Sequence, residues 1–234
     1  MNDFEKEAHD IDFLADQQIF MVSVIIAKLQ SNGELQFDSS IVLYTDYNYK
    51  IKFGESETPA FQLDFLDFPN ENELLVTYAN IVSQYKPNAF IGHNIFHFDL
   101  PIIDNRMWAL DIPLLTNPNP IQLPLHSRWL DIIKDHSGFT VLDTFLFAKK
   151  HIGLKYGCSL ANLSWNLLSE PKVKLDKDLD HLLPVDCLRN DKRIKTLINY
   201  CLHDSILAFK LFVLFQKTKL CFNHGLLLKL QLLV

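Results

Sequence analysis

Residues 18–30 read QIFMVSVIIAKLQ, an unbroken run of β-branched, aromatic and aliphatic side chains. Apolar residues do not alternate with polar ones here, so the run predicts a central strand that is covered on both faces. Residues 31–34 follow with Asn-Gly at their centre, which is a tight-turn signal. A second strand is expected from Leu35 to Tyr44, and the two strands are predicted to form an antiparallel hairpin.

The remainder of the chain alternates helical and strand signals. An apolar stripe with helical spacing begins at Glu73 and ends before Lys86, and a short strand covers residues 89–92. Further elements are predicted as a helix over 99–109, a strand over 139–142, helices over 143–151 and 159–168, and a long helix over 191–217. This order predicts an α/β domain in which helices flank a mixed sheet.

Composition narrows the class of protein. The chain has 234 residues, 48% of them hydrophobic, and 22 basic against 28 acidic side chains give a net charge of −6. Such a chain can bury a core, which excludes intrinsic disorder. Its acidity argues against a general electrostatic nucleic-acid binder. No apolar run is expected to reach the roughly 20 residues of a membrane span, so no membrane partner is predicted. The four cysteines are predicted to be reduced thiols of an intracellular protein.

Two clusters of polar residues carry candidate chemistry. Residues 92–101 read GHNIFHFDLP, in which a strand ends and Asp99 opens a helix. Residues 200–204 read YCLHD, in which Tyr200 and Asp204 are four positions apart and share one helix face. Each cluster also has a structural explanation. Asp99 could cap its helix, and Asp204 with Tyr200 could form a buried polar pair.

Taken together, the two clusters resemble motifs of family B DNA polymerases. GHNIFHFDLP is similar to the second exonuclease motif of that family, and YCLHD is similar to the third. KYGCSLANLSWNLL, over residues 155–168, resembles the helix that lies between those motifs. GLLLKLQLLV, over residues 225–234, resembles the apolar segment that leads toward the polymerase palm.

The resemblance implies an RNase H-like fold and 3′→5′ proofreading of DNA. It implies two divalent cations, Mg²⁺ or Mn²⁺, with Asp99 and Asp204 among their ligands. Hydrolysis of a phosphodiester requires an in-line water and two stabilised oxygens, and two ions about 4 Å apart provide this. Tyr200 matches the tyrosine that orients the water in the tyrosine subclass of four-acid exonucleases. Asn94 and Phe98 match residues that contact the 3′ end of single-stranded DNA.

The first exonuclease motif of the family, a strand that ends in Asp-x-Glu, has one candidate here. Asp10 and Asp12 have the correct spacing and are the tentative remaining metal ligands. The residues before Asp10 do not read as a buried strand, however. The alternative expectation is that this strand was lost or belongs upstream, and that residues 1–17 are a poorly structured segment.

The expected organisation has three parts, namely residues 1–17, an RNase H-like exonuclease domain over 18–217, and an apolar segment over 218–234. Three functions are weighed. The first is the exonuclease portion of a family B polymerase, which works with the remainder of that enzyme. The second is an inactive strand-binding scaffold derived from such a domain. The third is a free-standing exonuclease that acts on other substrates, such as RNA. The expected location is intracellular, in a nucleus or at a viral replication site.

Overall fold

A computed structural model describes residues 18–31, 34–45, 63–87, 89–112, 140–152, 157–175, 191–217 and 231–233. The predicted segment 1–17, with Asp10 and Asp12, lies outside these ranges. The elements are β1 (Met21–Leu29), β2 (Leu35–Thr45), β3 (Leu63–Phe68), α1 (Glu71–Tyr85), β4 (Ala89–Gly92), α2 (Asp99–Ala109), β5 (Thr140–Asp143), α3 (Thr144–His151), α4 (Leu160–Leu163) with a π-helical extension (Ser164–Leu168), α5 (Asp191–Lys217) and β6 (Gln231–Leu233).

The strands form one mixed sheet in the order β3-β2-β1-β6-β4-β5. β1 and β2 make the predicted antiparallel hairpin, with Met21 opposite Tyr44 and Leu29 opposite Leu35. β2 pairs in parallel with β3, and β4 pairs in parallel with β5. The predicted mixed α/β architecture is therefore confirmed.

The two faces of the sheet carry separate cores. Alternate residues of β1 and β2, such as Val24 and Leu43, pack with α1 and α2 on one face. The residues between them, such as Ala27 and Val42, pack with α5 on the other. Burial on both faces explains why the β1 sequence lacks polar alternation.

The prediction for the last ten residues differs from the structure. Residues 225–234 were expected to lead away from the domain, but Gln231–Leu233 form β6 within the sheet. β6 pairs antiparallel with β1 and parallel with β4. Gln231–Leu233 can form a strand here because β1 and β4 offer backbone N–H and C=O groups as hydrogen-bond partners on both sides.

The expectation that no apolar segment is long enough to span a membrane also needs correction. Within the described residues, Lys192–Lys217 is long and apolar enough to cross a membrane by length and composition. This helix packs against the sheet, and its buried residues include Ile198, Leu207 and Leu211. Because a core helix meets the same criterion, the composition of α5 is explained by burial on more than one side.

Candidate active site

The loop after β4 is shaped by Asn94, which adopts a left-handed backbone conformation with φ of 64°. The Asn94 carbonyl accepts hydrogen bonds from the backbone N–H groups of His97 and Phe98. Asparagine tolerates this conformation better than most side chains do. The resulting turn reverses the chain between Gly92 and Asp99, so that α2 begins close to the end of the strand.

Asp143, at the end of β5, holds this loop in place. Its carboxylate accepts the backbone N–H of Asn94 at 2.9 Å and that of Phe96 at 3.4 Å. It also accepts the N–H groups of Phe145 and Leu146, so Asp143 is the N-cap of α3. One buried carboxylate thus connects the carboxyl ends of two neighbouring parallel strands, where sites of α/β sheets form.

Asp99 is the first residue of α2, and the N-cap position is occupied by Phe98. The alternative that Asp99 is the N-cap is therefore wrong. The Asp99 side chain is open to solvent within a concave surface, but protein surrounds it on its other sides. Burial raises its pKa from 3.8 to about 6, and repulsion from Asp143 and Asp204 adds to this rise. A hydrogen bond from the backbone of Asp99 itself works against the rise but does not cancel it.

Tyr200 and Asp204 lie in the middle of α5, against the first half of β1. The neighbouring Ser23 hydroxyl donates to the Cys201 carbonyl at 3.0 Å and contacts the hydroxyl of Ser205. Because these contacts fix α5 against the strand, they fix the direction in which Asp204 points.

One cavity of about 720 Å³ brings the predicted site residues together. The predicted residues that line it are Asn94, Phe98, Asp99, Tyr200 and Asp204. Phe98, with 45% of its surface exposed, is an accessible aromatic side chain at this site. The geometry therefore places both described acids, the phenol and the two predicted substrate contacts around a common space.

The two oxygens of Asp204 have different environments. Oδ1 is buried and accepts no hydrogen bond from the residues that the structure describes, whereas Oδ2 lies 2.8 Å from the Nζ atom of Lys172. Burial raises the pKa of Asp204, and the hydrogen bond from Lys172 works against that rise. A buried carboxylate oxygen without a donor is costly, so Oδ1 is available to a cation.

Lys172 is a residue that sequence reasoning missed, since it lies in neither of the two polar clusters that carry the candidate chemistry. Its Nζ atom lies 4.7 Å from the ring centroid of Tyr200. Burial works to lower the pKa of Lys172, but bonds to Asp204 and Tyr200 raise it above its ordinary value. Lys172 lies in a loop-like segment, and its neighbours in the sequence do not indicate that it contacts residues of α5.

The side chains present fit part of a divalent-cation site. Asp99 and Asp204 supply hard oxygen ligands of the kind that Mg²⁺ and Mn²⁺ prefer, and Asp204 Oδ1 is unpartnered. Within the described ranges, no group of three His, Cys, Asp or Glu side chains converges at one point. The tentative ligands Asp10 and Asp12 fall outside those ranges, so the predicted four-carboxylate set remains a prediction.

Comparison with known proteins identifies the family. The DNA polymerase family B exonuclease domain matches residues 4–167. The chain is 26% identical over 167 residues to the DNA polymerase delta catalytic subunit of Caenorhabditis elegans, an alignment covering 65% of this chain and 15% of that protein. It is 24% identical over 189 residues to DNA polymerase 120R of Invertebrate iridescent virus 3, covering 70% and 16%.

A shorter match with a higher identity links the chain to the DNA-directed DNA polymerase of Enterobacteria phage T4. The two are 40% identical over 57 residues, which is 23% of this chain and 6% of the phage protein. The chain thus spans about 15% of the length of the delta subunit that it matches. The family match includes Asn94, Phe98 and Asp99, while Tyr200 and Asp204 lie beyond it. Because that match extends over well more than half of the residues, the chain belongs to the exonuclease domains of DNA polymerase family B.

Proposed function

We propose that this chain is the 3′→5′ exonuclease portion of a family B DNA polymerase, with an RNase H-like fold over residues 18–217. The observation that carries the proposal is the convergence of Asp99, Asp204 and Tyr200 on one cavity from distant parts of the sequence. Residues 1–17 are proposed to precede this domain and residues 218–234 to follow it, with Gln231–Leu233 joining its sheet as β6. The remainder of a polymerase is its proposed partner. The proposed location is intracellular, in a nucleus or at a viral replication site.

The proposed substrate is the 3′ end of single-stranded DNA. Phe98 presents an exposed ring on which a terminal base could stack, since base–aromatic stacking contributes about 1–3 kcal/mol per base. Asn94 lies beside it with its backbone fixed by Asp143, so its side chain starts from a defined position. Both residues line the space that contains the two acids.

The chemistry proposed for this site is hydrolysis of the terminal phosphodiester. Two bound Mg²⁺ or Mn²⁺ ions would stabilise charge on the attacking and leaving oxygens. Asp99 and Asp204 are proposed to hold them, with Asp10 and Asp12 as the tentative remaining ligands. Tyr200 is proposed to orient the attacking water through its hydroxyl. Lys172 positions Tyr200 and Asp204 through its contacts with both.

A second candidate is a strand-binding module without turnover. It is favoured by the absence of a third converging acid within the described ranges. It is also favoured by the ammonium of Lys172 at Asp204 Oδ2, which partly neutralises a site that otherwise needs a cation. On this alternative, DNA still binds at Asn94 and Phe98, but the phosphodiester is not cleaved.

The test is degradation of a 5′-labelled single-stranded DNA oligonucleotide in the presence of Mn²⁺. The chain is compared with Asp204→Ala and with a control, Asp67→Ala, which changes an exposed acid on the sheet-edge strand β3. We expect slow shortening from the 3′ end that Asp204→Ala abolishes and the control retains. Equal degradation by all three proteins would rule out Asp204 as an essential ligand.

The same experiment separates the alternatives. Binding of the oligonucleotide without shortening would favour the strand-binding module over the nuclease. Faster shortening of an RNA oligonucleotide of the same sequence would favour a free-standing exonuclease with other substrates. Loss of oligonucleotide binding in Phe98→Ala, with retention in Asp67→Ala, would support the proposed position of the 3′ end.

A further inference from the structure

Acidic residues are absent from two long stretches of an otherwise acidic chain. Residues 144–169 and 205–234 together hold seven of the 22 basic residues and none of the 28 acidic residues. Since the whole chain has a net charge of −6, the remaining residues carry a large excess of negative charge. A basic region in a protein of negative total charge indicates a local anion-binding surface, which the net charge alone conceals.

The fold brings described parts of these two stretches together. Ala148 of α3, Leu163 of α4 and Leu211 of α5 belong to one buried cluster. The ring centroid of Phe147 lies 4.6 Å from that of Phe215, so the C-terminal halves of α3 and α5 are adjacent. Lysines on these two halves therefore contribute to the same local positive potential.

The α3 face, defined as Leu146, Lys149 and Lys150, is exposed and carries two of these lysines. The two lysines follow Leu146 by three and four positions, so all three side chains share one side of the helix. Lys217, at the end of α5, is exposed as well. Within the described part of the chain, none of these three lysines forms an ion pair. Their charges therefore lack a counter-charge among the described side chains.

The α3 face begins beside the candidate active site. Asp143, the N-cap of α3, accepts the backbone N–H of Asn94 at 2.9 Å. The ring of Phe145 also contacts that of His93, with 5.7 Å between the ring centroids. Because an α-helix rises about 1.5 Å per residue, Lys150 lies about 9 Å from the start of α3. A DNA strand with its 3′ end at the loop after β4 would reach the lysines after a few nucleotides, since nucleotides of a duplex-like strand are about 3.4 Å apart.

We propose that the α3 face is a second binding site for the single-stranded DNA substrate and contacts phosphates a few nucleotides before the 3′ end. This inference rests on the proposed function, because it continues the strand from the proposed position of that end. Lysine ammonium groups bind phosphates as point charges without reading sequence, and Leu146 offers an apolar contact to a sugar or base. An acidic protein segment would match the charges equally well, but the position of the lysines near the proposed 3′ end favours DNA.

The test measures equilibrium binding of the full chain to a labelled single-stranded dodecanucleotide and, by competition, to a trinucleotide that is too short to reach the lysines. A chelator replaces divalent cations, so failure of the proposed nuclease activity has no effect on binding. In Lys149→Gln/Lys150→Gln we expect dodecanucleotide affinity to fall about tenfold or more at low salt. The slope of log affinity against log salt should decrease in magnitude by about 1.4, or about 0.7 for each lysine. Trinucleotide affinity should not change.

Two further variants control for charge and for folding. The matched control is Lys28→Gln/Lys86→Gln, which removes two exposed lysines of β1 and of the end of α1. It should keep the affinity and the salt dependence of the parent protein. Lys149→Arg/Lys150→Arg keeps both charges of the α3 face and should bind the dodecanucleotide as the parent does.

Four other results have distinct meanings. Unchanged dodecanucleotide affinity and salt dependence in Lys149→Gln/Lys150→Gln, or equal losses in the control, would overturn the proposal. Equal weakening of the trinucleotide would also overturn it, because the lysines would then act at the 3′ end itself. Tighter, lysine-dependent binding of a decaglutamate peptide would overturn it by assigning the α3 face to an acidic protein. Lysine-dependent DNA binding without shortening in Mn²⁺ would overturn the nuclease function and still support this second site.

Discussion

The ammonium of Lys172 lies 2.8 Å from Oδ2 of Asp204, in the cavity that Asp204 shares with Asp99. The Lys172 and Asp204 side chains are each about one-quarter exposed, so solvent screens their attraction only partly. Lys172 therefore supplies positive charge where a divalent cation is proposed to bind. It competes with that cation for Oδ2 while it holds Tyr200 nearby.

Replacing this lysine should strengthen cation binding by the DNA-free protein. We expect Lys172→Met to raise the affinity for Mn²⁺ about fivefold, roughly 1 kcal/mol, because the variant no longer repels the ion. Titration calorimetry measures the change. The control is Lys210→Met, which breaks the ion pair with Glu170 away from the cavity lining. An unchanged or lower affinity in Lys172→Met alone would contradict the competition.

The raised pKa of Asp99 predicts that this residue lowers the stability of the folded protein in a pH-dependent way. The folded protein holds this proton up to about pH 6, whereas the unfolded chain releases it near 3.8. Ionisation therefore destabilises the folded state, with no penalty below pH 3.8 and the full penalty above pH 6. Asp99→Asn should be more stable than the parent at pH 7 by about 1 kcal/mol, allowing for screening by solvent in the cavity, and equal to it near pH 3.5.

Urea denaturation at the two pH values, with a chelator present, measures this difference. Asp67→Asn is the matched control, because its side chain is exposed on the edge strand β3. The explanation fails if Asp99→Asn gains as much stability at pH 3.5 as at pH 7.

Asp143 should be a determinant of stability as well as of loop position. Asp143→Ala removes the acceptor of four backbone N–H groups, two in the loop after β4 and two in α3. We expect a loss of about 2–4 kcal/mol, from the lost cap and the unsatisfied donors. Asp143→Asn keeps one oxygen acceptor and should lose less. Equal losses in the two variants would show that acceptance of these hydrogen bonds is not the cause.

The buried ion pair of Glu71 and Arg106 offers a second stability test. Arg106 donates to both Glu71 oxygens, at 2.8 and 2.6 Å, and little of either side chain is exposed. Arg106→Met leaves a buried carboxylate without its cation, so we expect a loss of about 3–5 kcal/mol in thermal or urea unfolding. Lys28→Met breaks the exposed pair with Asp38 and should lose less than about 1 kcal/mol. Similar losses would contradict the role of burial.

Local patterns predicted most of the regular elements. The bounds of α2 and α5 agree with the prediction. The sequence over residues 45–72 does not define the limits of β3, because two prolines and mixed polarity interrupt the strand pattern. β6 was missed because three residues gain their strand conformation from pairing with β1 and β4, which are remote in sequence.

The residues of the candidate site were likewise predicted only in part. Asp99, Tyr200 and Asp204 were found because each belongs to a recognisable motif on an element with a predictable start. Lys172 was missed because its meaning depends on a partner across the fold, Asp204, and not on its neighbours in the chain. The unpartnered Oδ1 of Asp204 depends on packing between α5 and the sheet, which no local pattern encodes.

The Ile19 backbone N–H donates to Oε1 of Glu71 at 2.7 Å, two residues before β1 begins. This bond anchors the chain to α1 at the point where it enters the sheet. A residue inserted between positions 19 and 21 would shift β1 by one place and exchange the side chains delivered to its two faces. A residue inserted before position 19 would leave that alternation intact. We therefore expect insertions and deletions among natural relatives to occur before residue 19 and not between residues 19 and 21.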